Sequence, residues 1–115
     1  MRPSGSNLQS LTLGYSPCPN DTYIFYALSN GRVKIPFKLD VSLADVEKLN
    51  QLLTQGRLDI SKLSVSVVPQ ILDEYRLLRS GGAIGRGCGP LIVSRRQARI
   101  QDLREATIAV PGMLT

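Results

Sequence analysis

The sequence has 115 residues, 43% of them hydrophobic, and 14 lysines and arginines against 9 acidic residues give a formal net charge of +5. This composition excludes a disordered chain, a collagen and a disulfide framework, and it predicts one small globular domain or part of one. The chain contains no histidine, which excludes Ser/His/Asp and Cys/His catalysis and histidine-ligated zinc from these residues.

The first half of the chain alternates predicted strands and helices after a polar tail, residues 1–10. Residues 37–43 alternate apolar and polar side chains, which is typical of a strand with one buried face. The apolar residues of 44–55 instead recur at helical spacing. The predicted elements are a strand over 11–15, a proline-rich turn over 16–22, a largely buried helix over 21–29, a strand over 37–43, a helix over 44–55 capped by Ser42, and a strand over 58–60.

The second half continues the alternation with shorter apolar runs. We predict a helix over 64–74, strands over 76–79, 91–93 and 107–110, and one or two helical turns over 100–105. Six strands alternating with helices predict an α/β fold with a largely parallel sheet.

The basic surplus lies in the last third, where residues 76–115 carry seven arginines against Asp102 and Glu105. All six aromatic residues precede this stretch, so base-stacking side chains do not alternate with the arginines. We therefore expect either a small anionic partner or a solvated basic surface, and no nucleic acid. No apolar run approaches the roughly 20 residues that span a bilayer, and the start does not resemble a signal peptide, so we expect a cytoplasmic protein with no membrane span.

The two cysteines, Cys18 and Cys88, are too far apart for a two-cysteine redox centre. We expect both to be buried reduced thiols, and we expect no metal and no cofactor.

A glycine-rich loop over 81–90 invites a nucleotide-binding interpretation, which its context rejects. The spacing over 85–89 is G-x-G-x-G, and Pro90 opens a predicted strand, whereas a dinucleotide fingerprint has G-x-G-x-x-G opening a helix. Two alternatives stay open: a flexible crossing between strands, or close backbone approach to a ligand with Arg86 binding its carboxylate.

The strongest candidate site is the turn that leads from the first strand into the first helix. Asn20, Asp21 and Thr22 lie where parallel α/β sheets bind ligands, at a helix start with unpaired N–H groups. Ser61 and Lys62 occupy the equivalent position after the strand over 58–60. Helix capping by Asn20 and Asp21 explains the first turn equally well, and capping by Ser61 or Ser64 beside a solvated Lys62 is slightly favoured at the second.

Four groups of residues together resemble one enzyme family. They are the string over 13–28, LGYSPCPNDTYIFYAL; the stretches over 45–50 and 56–64; those over 77–81 and 85–91; and the last six residues, VPGMLT. They are similar to the amino-terminal region of the 1,4-dihydroxy-6-naphthoate synthase family, which acts in the futalosine route to menaquinone. The resemblance runs from Leu11 to Thr115.

The resemblance implies a periplasmic-binding-protein-like (type II) fold in which two α/β lobes close around the substrate. Residues 11–115 would be part of the first lobe, with the second lobe outside this chain. The implied reaction is lyase cleavage of cyclic dehypoxanthine futalosine, with a histidine base that would also lie outside it, so we expect these residues to be inactive alone. The residues implied to bind the carboxylate-bearing substrate are Asn20, Asp21, Ser61, Lys62, Ser64, Gly89 and Thr115.

Two other functions are compatible with these residues. One is an anion-binding module of the same fold without catalysis. The other is an enzyme like chorismate dehydratase, from which the Ser-Pro-Cys-Pro-Asn-Asp-Thr string over 16–22 points away.

Overall fold

The computed structural model describes residues 9–96 and 99–115. Most of the predicted polar tail over 1–10 lies outside these ranges. In chain order the elements are β1 (Ser10–Tyr15), α1 (Pro19–Ser29), β2 (Lys38–Leu43), α2 (Val46–Thr54), β3 (Ile60–Ser61), a 3₁₀ turn (Val65–Val67), α3 (Val68–Ile71) and a second 3₁₀ turn (Ile100–Glu105).

The three strands form a parallel sheet in the order β2-β1-β3. Leu13 in the central strand is paired with Val41 on one side and with Ile60 on the other. This confirms the prediction of an α/β fold with a parallel sheet, although the described part of the chain has three strands and not six. All three carboxyl ends consequently lie at the same edge of the sheet.

The core forms between the sheet and the helices that follow β2 and β3. Its buried members are Leu49, Leu53, Leu58, Val67 and Ile71. Gly14 in β1 makes this packing possible, because a Cβ there would lie 2.8 Å from methyl carbons of both Leu49 and Leu58. Helix α2 therefore lies close against the central strand.

Strand β3 begins later than predicted because a side chain replaces part of its pairing. Asp59 Oδ2 accepts hydrogen bonds from Thr12 N at 2.7 Å and Thr12 Oγ1 at 2.8 Å. In return the Thr12 hydroxyl accepts one from Asp59 N at 2.8 Å. The hydrogen bond from Thr12 N, followed by that from its hydroxyl, lowers the pKa of Asp59.

Helix α1 differs from its prediction in its start and its burial. It begins at Pro19, whose missing N–H and fixed φ suit a first helical position. The expectation that it is largely buried is wrong, because Tyr23 is 84% exposed. The helix contacts the sheet through one side only, where Phe25 stacks on Tyr15 with ring centroids 4.7 Å apart.

Helix α2 begins at Val46, and its cap is not the predicted Ser42. Asp45 has extended backbone geometry and its Oδ1 accepts a hydrogen bond from Lys48 N at 3.0 Å. A side chain at the cap position reaches the free N–H groups of the first turn, which Ser42 within β2 cannot do.

The predicted helix over 64–74 is shorter than expected. It consists of the first 3₁₀ turn and the four residues of α3, and only Val67 and Ile71 are buried in it. Proline at position 69 lies in the first turn of α3, as a helix requires.

The stretch over 76–110 contains no strand among its described residues, so the strands predicted over 76–79, 91–93 and 107–110 are wrong. The predicted helical turns over 100–105 are present as 3₁₀ structure. In the described residues we found no helix with the length and apolar character needed to cross a membrane.

Candidate functional site

An open cleft of about 620 Å³ lies at the carboxyl ends of the three strands. The residues following β1, β2 and β3 all contribute to it. Its lining residues are Ser16, Pro17, Cys18, Asp21, Asp45, Val46, Lys62 and Leu63. Ligands of parallel α/β sheets bind at this edge, so the position of the cleft agrees with the sequence prediction.

Asp21 forms the polar floor of the cleft, and it is only 6% exposed. Its Oδ2 accepts hydrogen bonds from Ser16 N at 3.1 Å and from Ser16 Oγ at 2.8 Å. The carboxylate thus closes the turn after β1. The alternative of helix capping is wrong, because Cys18 occupies the cap position of α1 and no side chain caps this helix.

Among the described residues, Lys62 is the only lysine that lines the cleft, and its side chain is 21% exposed. Its Nζ lies 3.7 Å from Asp21 Oδ1 and donates a hydrogen bond to the carbonyl oxygen of Gly81 at 3.1 Å. The alternative of a solvated lysine is therefore wrong. An ammonium group has three donors, and the described hydrogen bond to Gly81 uses one of them.

Cys18 is exposed on the wall of the cleft, so the expectation of a buried thiol is wrong for it, as it is for the exposed Cys88. The hydrogen bond with the Ser16 side chain, followed by that with the Asp21 backbone N–H, lowers the pKa of the Cys18 thiol. A lower pKa gives a larger thiolate fraction at neutral pH.

Two predicted residues at these turns do not line the cleft. Asn20 is exposed on the first turn of α1. The Ser61 hydroxyl donates to the carbonyl oxygen of Lys62 at 2.8 Å, which fixes the turn that carries the lysine.

Ser64 is held by a buried residue that the sequence analysis missed. Asn50 is fully buried; its Nδ2 donates to Ser64 Oγ and its Oδ1 accepts from Ser64 N, both at 3.0 Å. Its sequence signal is a polar side chain on the apolar stripe of α2, one residue after the buried Leu49. A buried amide normally finds such partners.

Thr115 lies against the first turn of α2 and is not among the residues that line the cleft. Its hydroxyl donates a hydrogen bond to Glu47 Oε2 at 3.0 Å. Gly89 lies in an exposed loop where a Cβ would meet nothing within 4 Å, and it does not line the cleft either. Arg86 in the same loop is also exposed.

The cleft offers the Lys62 ammonium group, the Ser16 hydroxyl and the Cys18 thiol beside the carboxylates of Asp21 and Asp45. Within the described ranges no group of three His, Cys, Asp or Glu side chains could hold a metal.

A family model described as menaquinone biosynthesis matches residues 11–115. The chain is 52% identical to a 1,4-dihydroxy-6-naphthoate synthase of Thermus thermophilus over 108 residues, 94% of this chain and 39% of that protein. It is 49% identical to one of Streptomyces coelicolor over 103 residues, 90% of this chain and 36% of that protein.

These curated relatives are therefore much longer than the chain. A crystal structure of a protein from Archaeoglobus fulgidus superimposes with a TM-score of 0.65 at 25% identity. The superposition covers 70% of this chain and 30% of that one.

Proposed function

Because this chain belongs to the menaquinone biosynthesis family, we propose that it is the amino-terminal, substrate-binding part of a 1,4-dihydroxy-6-naphthoate synthase. The observation that carries the proposal is the cleft at the three strand ends, where the Lys62 ammonium group keeps donors beyond its hydrogen bond to Gly81. The names of two relatives that are about half identical to the chain support this choice over a dehydratase.

The proposed ligand is the carboxylate-bearing cyclic dehypoxanthine futalosine. Lys62 would bind its carboxylate, with the Ser64 and Thr115 hydroxyls and the exposed Asn20 amide near polar groups at the rim. Asp21 would act by holding Lys62 and the turn after β1 in place. Gly89 lies in an exposed loop, so it would contact the ligand only if that loop moved toward the cleft.

The reaction would be a lyase cleavage. The family resemblance implies a histidine as its base, and the 115 residues include none, so that base would lie outside them. We assign binding and orientation of the substrate to this chain, and proton transfer to another part of the enzyme. On this proposal, residues 11–115 belong to the first α/β lobe of a two-lobed, periplasmic-binding-protein-like enzyme.

A calorimetric titration with cyclic dehypoxanthine futalosine tests the proposal. We expect Lys62→Ala to weaken binding roughly 10- to 100-fold, because a charge-assisted hydrogen bond contributes about 1.5–3 kcal/mol. Lys38→Ala is the matched control: it removes the same charge from an exposed residue at the amino end of β2, the opposite edge of the sheet. Equal affinities of the two variants would remove Lys62 from the site.

A binding module without catalysis is the second candidate, and the lack of histidine favours it for this chain alone. Incubation with the same compound separates the candidates when a longer chain that contains the histidine is included. Cleavage by the longer chain supports the synthase, whereas binding without cleavage by both supports the module.

A further inference from the structure

The last residues of the chain fold back onto α2 and are held there by a single carboxylate. Glu47 accepts hydrogen bonds from Met113 N at 3.2 Å, from Leu114 N at 3.0 Å and from Thr115 Oγ1 at 3.0 Å. These partners are more than 60 residues from Glu47 in sequence. The contact therefore fixes the position of a distant segment, which we call the terminal segment, residues 111–115.

The opposite side of the terminal segment is also held by polar side chains. Leu114 O accepts hydrogen bonds from Asn50 Nδ2 at 3.4 Å and from the Ser66 hydroxyl. Since Asn50 also holds Ser64 through two hydrogen bonds, one buried amide joins α2, the turn after β3 and the terminal segment.

Gly112 permits the close approach of the terminal segment to Glu47. A Cβ on Gly112 would overlap the Glu47 carboxyl group and its Cγ. Any residue other than glycine at this position would push either the carboxylate or the segment away.

We propose that Glu47 is a positioning residue of the substrate cleft, holding Thr115 at its rim. This inference rests on the proposed function. Asp45 and Val46, which directly precede Glu47 in the chain, line the cleft, so the carboxylate holds the Thr115 hydroxyl at the same end of α2. The hydrogen bonds from Met113, Leu114 and Thr115 also satisfy the negative charge of Glu47.

Amide hydrogen exchange tests the positioning step without any ligand. In Glu47→Gln we expect the Met113 and Leu114 amides to exchange about tenfold faster, because their charged acceptor is lost. Glu105→Gln, which changes an exposed glutamate in the second 3₁₀ turn, should leave both rates unchanged. Unchanged rates in Glu47→Gln overturn the inference.

A second pair of variants leaves Glu47 intact and moves the segment. Gly112→Ala should also accelerate exchange of both amides, whereas Gly82→Ala, where a Cβ meets nothing within 4 Å, should not. Equal exchange in the two alanine variants would likewise contradict the inference.

Titration with cyclic dehypoxanthine futalosine then tests whether the position of the terminal segment affects ligand binding. We expect Glu47→Gln and Gly112→Ala each to weaken binding by about three- to tenfold, with the urea midpoint of the core unchanged. Faster exchange with unaltered affinity overturns the positioning role. No binding by the unsubstituted chain instead contradicts the proposed function, and the exchange rates still show whether Glu47 holds the segment.

Discussion

Residues 10–75 and residues 76–110 have similar proportions of apolar residues but different structures. Every buried hydrophobic residue that the structure describes lies between Leu13 and Ile71. Leu91 and Val93 in the later stretch are 84% and 86% exposed. The Cα radius of gyration is 18.9 Å, against about 13 Å for a compact chain of this length. An apolar run therefore becomes a strand only where a neighbouring strand can pair with it.

The earlier region has this pairing because its connections are long enough to cross over the sheet. Helices α1 and α2 return the chain so that β2 and then β3 lie parallel to β1. The runs over 76–79, 91–93 and 107–110 come after β3, and the described sheet has no fourth strand beside it. Among the described residues after 110, Leu114 packs against the core, and Glu47 and Asn50 hold the terminal segment there.

The largest expected difference between the regions is the cost of removing a leucine. Leu49→Ala should lower the free energy of unfolding by about 2–5 kcal/mol, because it leaves a cavity in the core. The matched change Leu91→Ala should alter it by less than about 0.5 kcal/mol. Urea unfolding followed by circular dichroism measures both, and a comparable loss in the two variants would show that the later stretch is packed.

Alanine substitutions at two glycines, one in each region, compare their stability in a second way. Gly14→Ala should destabilise the fold by about 1–3 kcal/mol, since its Cβ would press on Leu49 and Leu58. Gly89→Ala, with open space around its Cβ, should be within about 0.5 kcal/mol of the unsubstituted chain. Thermal unfolding of the two variants measures both changes in stability. A stable Gly14→Ala would mean that α2 can move away from β1 without loss.

The elements with both a periodic pattern and a strong end signal could be predicted from the sequence. Alternation identified β2, although its predicted buried face is wrong because no residue of β2 is buried. Helical spacing with Gly56 after it identified α2. The exact cap and the late start of β3 could not be predicted, because they depend on whether Asp45 and Asp59 reach particular backbone N–H groups. The three later strands failed because a short apolar run does not specify its partner.

The location of the candidate site could be predicted from the sequence, but the side-chain contacts within it could not. The turns after parallel strands locate Asp21 and Lys62 at one edge of the sheet. Their ion pair, and the links of Asn50 and Glu47 to residues beyond 110, join positions far apart in sequence. No local pattern encodes such distances. The ligand-binding roles of the seven predicted residues stay predictions.

The Asp59 and Thr12 pair offers a smaller, pH-dependent effect on the packed region. Thr12→Val should lower the free energy of unfolding by about 1 kcal/mol at pH 7, because Asp59 loses its hydroxyl donor. The folded-state pKa of Asp59 is lowered, so its contribution is present above the unfolded pKa, roughly 4, and is lost as pH falls through the folded value. Urea midpoints of both proteins should therefore differ less at pH 3 than at pH 7, since at pH 3 the substitution chiefly removes the hydrogen bond from Asp59 N to the Thr12 hydroxyl. An equal difference at the two pH values would contradict this account.

The smallest expected effect is on the reactivity of Cys18. This thiol is exposed, but hydrogen bonding with residues of the packed region lowers its pKa. In a Cys88→Ser background, the rate of Cys18 alkylation by iodoacetamide reports its thiolate fraction at each pH. Replacing Ser16 with alanine removes the leading cause of the lowered pKa of Cys18, so the midpoint of the rate profile should move to higher pH. Ser94→Ala, an exposed serine in the later stretch, is the matched control and should leave the midpoint in place. If both variants keep the original midpoint, the fold around β1 does not tune this thiol. A shifted midpoint in Ser16→Ala but not in Ser94→Ala would show that groups in the turn after β1 set the pKa of Cys18, and that its solvent exposure alone does not.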